Sequence, residues 1–290
     1  MTVVAIFGPT ASGKTAVAEE LARLIPAELV SADAMQVYRG LPILTNQSEH
    51  PARLVGYLAL DEEGSVAAYQ RLAHAAVDEI LAAGRTPVVV GGTGLYLRAA
   101  LADLELPPPP APGARERLER LYDDGGAERA HELLAQRDPG AAAAVHPNDR
   151  RRVVRALELA EAGSSLRPGI DTLWSGETRH PTRIFGLEVA SEELARRIEE
   201  RTRAMFEHGV EAEVARALAG PISATARTIH GLQDIAELPR EQAIEALAAR
   251  TRRYAAYQRK WMRRIPGLVA LRADRPAARV ASEIARTLRH

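Results

Sequence analysis

Gly8-Pro9-Thr10-Ala11-Ser12-Gly13-Lys14-Thr15 stands between an apolar run, Val3-Val4-Ala5-Ile6-Phe7, and a helical pattern from Ala16 to Leu24. The spacing G-x-x-x-x-G-K-T, in the order strand, loop, helix, is that of a P-loop. Its glycines let the backbone curl so that successive N–H groups face one anion at a helix N-terminus. Lys14 adds a point charge, and the Thr15 hydroxyl suits a magnesium ion. Only two of the 38 Lys and Arg residues are lysines, Lys14 and Lys260. A lysine in the loop of so arginine-rich a chain points to a need for a compact cation.

Working outward, Glu28-Leu29-Val30-Ser31 reads as a second strand, followed by Ala32-Asp33-Ala34-Met35-Gln36-Val37-Tyr38-Arg39-Gly40. In a parallel sheet with right-handed crossovers this strand lies beside or near the first, so Asp33 is delivered to the P-loop crevice. Asp at a strand end also caps turns, and that plainer role stays open. Ser65 to Ala83 is helical by its apolar spacing, and Thr86-Pro87-Val88-Val89-Val90 is a continuous apolar strand. That strand ends in Gly91-Gly92-Thr93-Gly94-Leu95-Tyr96, where clustered glycines mean close approach to a ligand or another segment, with Thr93 presented between them. None of the apolar strands ends in the acid with which P-loop hydrolases hold magnesium, which counts against ATP or GTP hydrolysis.

Pro107-Pro108-Pro109-Pro110-Ala111-Pro112-Gly113 reads as a stiff extended linker. Ala114 to about Gly163 is helical, and Gly163 to Pro181 reads as a loop. Arg183 to Val189 returns as a strand, Ser191 reads as an N-cap before Glu192-Glu193, and helices are expected at 210–218, 240–265 and 277–288, with a strand at Leu268-Val269-Ala270-Leu271. The expected fold is α/β: a P-loop kinase-like parallel sheet core at 1–110 and 182–290, with an all-helical insertion at 111–181.

Net charge is zero and cysteine is absent, which excludes a disulfide framework, a thiol nucleophile and a cysteine zinc site. A soluble, cytoplasmic chain is expected, with no membrane span. The charge is uneven. Arg250 to Arg264, in RTRRYAAYQRKWMRR, holds seven cations and no acid, interleaved with Tyr254, Tyr257 and Trp261, and Arg150-Arg151-Arg152 with Arg155 forms a second basic run.

Taken together, G-P-T-A-S-G-K-T, S-A-D-A-M-Q-V-Y-R-G, V-G-G-T-G-L-Y, N-D-R-R-R-V-V-R-A-L-E and T-R-R-Y-A-A-Y-Q-R-K-W-M-R resemble the tRNA dimethylallyltransferase family, from the first strand to about Arg264. The resemblance implies transfer of the dimethylallyl group of dimethylallyl diphosphate to N6 of adenosine 37, beside the tRNA anticodon, by a monomer. It implies that Thr10 to Thr15 hold the departing diphosphate with Mg2+, that Lys14, Asp33 and Thr93 are catalytic, and that Asp33 accepts the N6 proton. Ala34, Met35 and Gln36 would line the adenine site, with Thr93 beside them. Arg115, Arg151, Arg152, Val153, Val154, Arg155, Arg253, Gln258 and Trp261 would meet the anticodon stem-loop.

The chain departs from the family at Leu44-Thr45-Asn46-Gln47, where a Thr-Ala-Lys-Pro-like stretch is usual, and at Leu54-Val55-Gly56-Tyr57, where His-His-Leu is usual. Ile229-His230-Gly231-Leu232 stands for an Ile-Gly-Tyr motif, and Lys260-Trp261-Met262-Arg263 for a T-W-F-R ending. Rival readings are a free-adenylate isopentenyltransferase, which needs no tRNA-facing arginines, a small-molecule or nucleoside kinase, which needs no helical insertion, and a non-catalytic RNA-binding module.

Overall fold

A computed structural model describes residues 2–106, 111, 113–166 and 172–288. Most of the proline linker, Pro107 to Pro110 and Pro112, lies outside them. The first half of the core runs β1 (Val3–Phe7), α1 (Lys14–Leu24), β2 (Ala27–Ser31), β3 (Ala52–Arg53), α2 (Val66–Ala82), β4 (Thr86–Gly91) and α3 (Gly94–Leu101). A helical stretch follows with α4 (Ala114–Gly125), α5 (Ala127–Arg137), α6 (Pro139–Ala144) and α7 (Arg150–Glu161). The chain then adds β5 (Thr182–Glu188), α8 (Ser191–Glu207), α9 (Val210–Leu218), α10 (Leu232–Glu237), α11 (Arg240–Met262), β6 (Leu268–Arg272) and α12 (Ala277–Thr287).

The six strands form one parallel sheet in the order β3-β2-β4-β1-β5-β6. All five residues of β1 are buried, as an apolar strand covered on both faces must be. β1 pairs Ile6 with Val90 on one side and with Phe185 on the other. β2 is therefore separated from β1 by β4. Because β1 leads on to β2 on one side and β5 to β6 on the other, the crevice at their carboxyl ends is a topological switch point. Val4, Ile6, Val17, Leu21, Val88, Phe185, Ile198, Val280 and Ile284 fill the adjoining core.

The described chain divides into two compact units, Met1–Asp103 with Leu173–His290, and Leu104–Thr172. The second has its own core, in which Leu118, Leu134, Val153 and Leu157 are fully buried. Two of its helices, α6 and α7, begin at side-chain caps: Asp138 accepts from the Ala141 amide at 2.9 Å, and Asp149 from the Arg152 amide at 3.2 Å.

Ser191 is a correction. It is the first residue of α8 and makes no capping bond. Its hydroxyl instead accepts from Arg259 Nη1 at 2.7 Å, a tertiary partner that the local pattern does not reveal. Among the described residues no helix is long and apolar enough to cross a membrane.

Candidate active site

The P-loop leaves β1 under tight steric control. A Cβ on Gly8 would lie 2.9 Å from Ser12 Oγ and 3.2 Å from the Leu187 carbonyl oxygen, so only glycine fits there. Gly13 takes φ +87°, a left-handed conformation that lets α1 start abruptly at Lys14. Ala11 also sits at positive φ, +62°, where a side chain costs about 1–2 kcal/mol, so the loop holds a strained turn. Lys14 Nζ donates to the Pro9 carbonyl at 2.9 Å. Burial, with Arg201 adding to it and Asp33 opposing it, lowers the Lys14 ammonium to about 8.

Arg201 reaches the same place from α8, donating from Nη2 to Thr10 Oγ1 at 2.6 Å, while its Nε is buried with no hydrogen-bond partner. Burial also lowers the Arg201 guanidinium from its ordinary value, against the pull of Asp33. An orphaned donor on a buried cation beside a P-loop is what an anion would satisfy.

Asp33 follows β2 in a turn closed by its own side chain, Oδ1 accepting from the Met35 amide at 3.0 Å. The turn-capping role is thus real, yet the carboxylate also borders the cavity above the P-loop. Thr93 completes the junction: its Oγ1 accepts from the Ala34 amide at 3.2 Å and lies 3.2 Å from the Tyr254 hydroxyl.

The glycines around Thr93 each admit one neighbour. A Cβ on Gly91 would lie 2.1 Å from the Ala32 carbonyl oxygen, on Gly92 2.1 Å from Gln258 Nε2, and on Gly94 2.1 Å from Trp261 Cε3. The close approach is thus to other segments of the chain. Gly94→Ala should force the Trp261 ring away and lower the unfolding free energy by about 1–3 kcal/mol, the usual cost of overpacking, as denaturant titration would measure.

The P-loop, Asp33, Arg201 and Tyr254 share a cavity of about 470 Å³, and Thr93 and Ala34 are not among the residues that line it. Thr10, Lys14, Thr15, Arg201 and Asp33 line its polar part, and Met35, Leu44, Met205 and Leu247 its apolar part. The lining can hold an anion and an apolar group, with a carboxylate in the same cavity. Among the described residues no group of three or more His, Cys, Asp or Glu could hold a metal. Magnesium keeps several waters and takes phosphate oxygens with one or two protein ligands, so the Thr15 hydroxyl fits it.

Several residues expected at the substrate or the RNA are also tied into the framework. Gln36 borders the cavity, but its amide is spent on the framework, accepting from Ser31 Oγ at 3.0 Å and donating to the Thr45 and Asn46 carbonyls at 3.2 and 3.0 Å. Gln258 is 2 % exposed and bound to backbone on both sides, so it has nothing to offer RNA. Trp261 packs over Gly94 and against Trp174, with ring centroids 4.9 Å apart. Val153 and Val154 are buried in the helical core, which excludes RNA contact through their side chains.

Arg115 and Arg155 both hold Glu158, at 2.8 and 2.9 Å. Burial would raise that carboxyl, but the two guanidiniums hold it below its ordinary value. Arg151, Arg152 and Arg253 are exposed. Within the 250–264 run Arg250 and Arg252 are paired to Asp234 and Glu199, whereas exposed Arg253, Lys260 and Arg263 make no ion pair among the described residues.

Sequence reading missed Arg201, Tyr254 as a partner of Thr93, and His230, whose ring meets Tyr254 edge-on at 4.6 Å. Arg201 had a signal: it falls on the buried stripe of α8 with Leu194, Ile198 and Met205, where an arginine needs a partner.

The depressed Lys14 value carries a pH dependence. The amine is cationic below about pH 8 and neutral above it, where an ordinary lysine would stay charged past pH 10. kcat/KM for an anionic substrate held by Lys14 should therefore fall about tenfold per pH unit above pH 8, in a profile taken at constant ionic strength.

Comparison with known proteins agrees with this geometry. A profile for IPP transferase matches residues 36–265, and one for isopentenyl transferase matches residues 1–53. A tRNA dimethylallyltransferase of an Exiguobacterium species is 41% identical over 275 residues, covering 90% of this chain and 87% of that protein. One from Salinispora tropica is 40% identical over 304 residues, covering 96% and 94%. The solved tRNA isopentenylpyrophosphate transferase of Bacillus halodurans superposes with TM-score 0.70 at 31% identity, covering 99% of this chain and 97% of that one. A eukaryotic dimethylallyltransferase solved acting on tRNA shares the fold, with TM-score 0.76 at 24% identity over 99% of this chain and 79% of that one. A family profile over most of the chain and relatives near 40% identity along its length lead to one conclusion: the chain belongs to the tRNA dimethylallyltransferase family.

Proposed function

We propose that the chain transfers the dimethylallyl group of dimethylallyl diphosphate to N6 of adenosine 37 in the anticodon stem-loop of tRNA, releasing diphosphate. The observation that carries this reading is the joining of an anion cradle, Lys14, Thr15 and Arg201, to the Asp33 carboxylate in one cavity with an apolar part.

As the N6 lone pair forms the new C–N bond, the C–O bond to diphosphate breaks and its electron pair leaves with the diphosphate. Lys14 and Arg201 stabilise the charge that develops there. The N6 proton passes to Asp33, which its bond to the Met35 amide holds in place. Thr93, fixed between Ala34 and Tyr254, ties the loop after β2 to α11. Magnesium held by Thr15 would neutralise charge on the diphosphate. Met35, Leu44 and Leu247 offer the prenyl chain a surface that excludes water.

An adenine within an anticodon loop must be unstacked before its exocyclic amine can be reached. Exposed Arg151 and Arg152 on α7, and Arg253, Lys260 and Arg263 on α11, are suited to its phosphates. Incubation with unmodified tRNA or free AMP, and with dimethylallyl diphosphate or ATP, followed by mass spectrometry, tests the reading. A prenyl group on adenosine 37 is expected. Prenylated AMP alone, or a phosphorylated product from ATP, would overturn it.

A further inference from the structure

Gln258 lies on α11, far in sequence from both the P-loop and the turn after β4, yet it joins them. Its Oε1 accepts from the Thr10 amide at 2.7 Å, and its Nε2 donates to the Gly92 carbonyl at 2.9 Å. The orientation of the amide is forced, since a backbone N–H only donates and a carbonyl only accepts. The side chain is 2 % exposed, so neither bond has water as a ready substitute. Gly92 is glycine for this purpose, because a Cβ there would lie 2.1 Å from Gln258 Nε2 and 3.2 Å from the Gly8 carbonyl oxygen.

Thr10 is the node. Its amide is committed to Gln258, so it is not one of the N–H groups offered to an anion, and its hydroxyl takes the 2.6 Å bond from Arg201. Arg201 keeps a buried Nε with no partner. Fixing the Thr10 backbone fixes where its hydroxyl stands, and thereby where the guanidinium points. One turn before Gln258 on the same helix face, Tyr254 reaches Thr93, and one turn after it Trp261 packs over Gly94.

We propose that Gln258 is a positioning residue for the diphosphate end of the reaction, acting through Thr10 to aim Arg201 at the anion. The inference rests on the proposed function for the identity of the anion. It is tested with inorganic pyrophosphate in calorimetric titrations, which need no prenyl transfer. Gln258→Leu, which keeps bulk and loses both bonds, should weaken pyrophosphate binding about tenfold and raise KM for the prenyl diphosphate by a similar factor. kcat at saturating donor should fall by less than KM rises, since Arg201 meets the diphosphate in the ground state as well as in the transition state.

Gln258→Glu is the second variant, in case the first fails to fold. It keeps an acceptor for the Thr10 amide, loses the donor to Gly92 and adds a negative charge, so it should weaken pyrophosphate by more than tenfold. The decisive arm is a double-mutant cycle with Arg201→Met. If Gln258 acts through Arg201, Gln258→Leu costs less than about twofold in the Arg201→Met background. A merely structural role would lower the melting temperature and the active fraction, hence kcat, with KM and pyrophosphate affinity unchanged, and that result overturns the inference. Full additivity in the cycle overturns it too, while leaving the proposed function intact. Wild-type protein blind to pyrophosphate would remove the basis of both.

Discussion

Lys14→Ala is expected to slow prenyl transfer by about 10²–10³-fold, the loss that follows removal of one preorganised group from a developing oxyanion. The size follows from the surroundings. Lys14 is a buried cation that retains charge at neutral pH, and its removal leaves Arg201 as the remaining arginine at Thr10. RNA affinity should stay near wild type, because Lys14 is not one of the exposed cations of α7 and α11 suited to the RNA phosphates. Single-turnover rates at saturating donor, read beside a filter-binding curve for tRNA, check both halves. A wild-type rate in Lys14→Ala would mean that the P-loop takes no part in the reaction.

Asp33→Asn should lower the single-turnover rate by about 10²–10⁴-fold, the range of a general-base contribution. The adenine N6 amine is a poor nucleophile, its lone pair being delocalised into the ring, and it needs an acceptor as the new bond forms. The structure makes this substitution a clean one. Asparagine retains the oxygen that accepts from the Met35 amide at 3.0 Å, so the turn is preserved and the melting temperature should move by no more than a degree or two. A lowered melting temperature with an unchanged rate would leave Asp33 with its turn-capping role alone.

What could be read before the structure, and what could not, divides along the range of the interactions. The P-loop was legible because its constraints are local: a left-handed Gly13, a closed approach at Gly8 and a lysine at the first position of a helix all lie within eight residues. The apolar strands were legible because burial on both faces leaves no polar positions in them. The Gly91–Gly94 turn announced close approach, yet no local rule says that the approaching groups are Ala32, Gln258 and Trp261.

Gln258, Val153 and Val154 were expected at the RNA from the family resemblance alone. Helical spacing places Gln258 with Thr251, Ala255 and Met262, and Val153 and Val154 with Ala156 and Leu157, all of them buried. Departures at 44–47 and 229–232 also altered the cavity wall without altering its polar end, since Leu44 and His230 border it beside an unchanged Lys14 and Asp33.

The scarcity of lysine gives the buried amine a use as a chemical handle. At pH 8 about half of the Lys14 side chains are unprotonated, and so nucleophilic toward carbonyl reagents, in a place shaped for phosphate. A phosphate-bearing aldehyde followed by borohydride would trap an imine there, and a tryptic map would separate that adduct from any on exposed Lys260, the other lysine in the chain. Protection of the Lys14 peptide by pyrophosphate would then report occupancy of the cradle at the moment of trapping, without a labelled substrate.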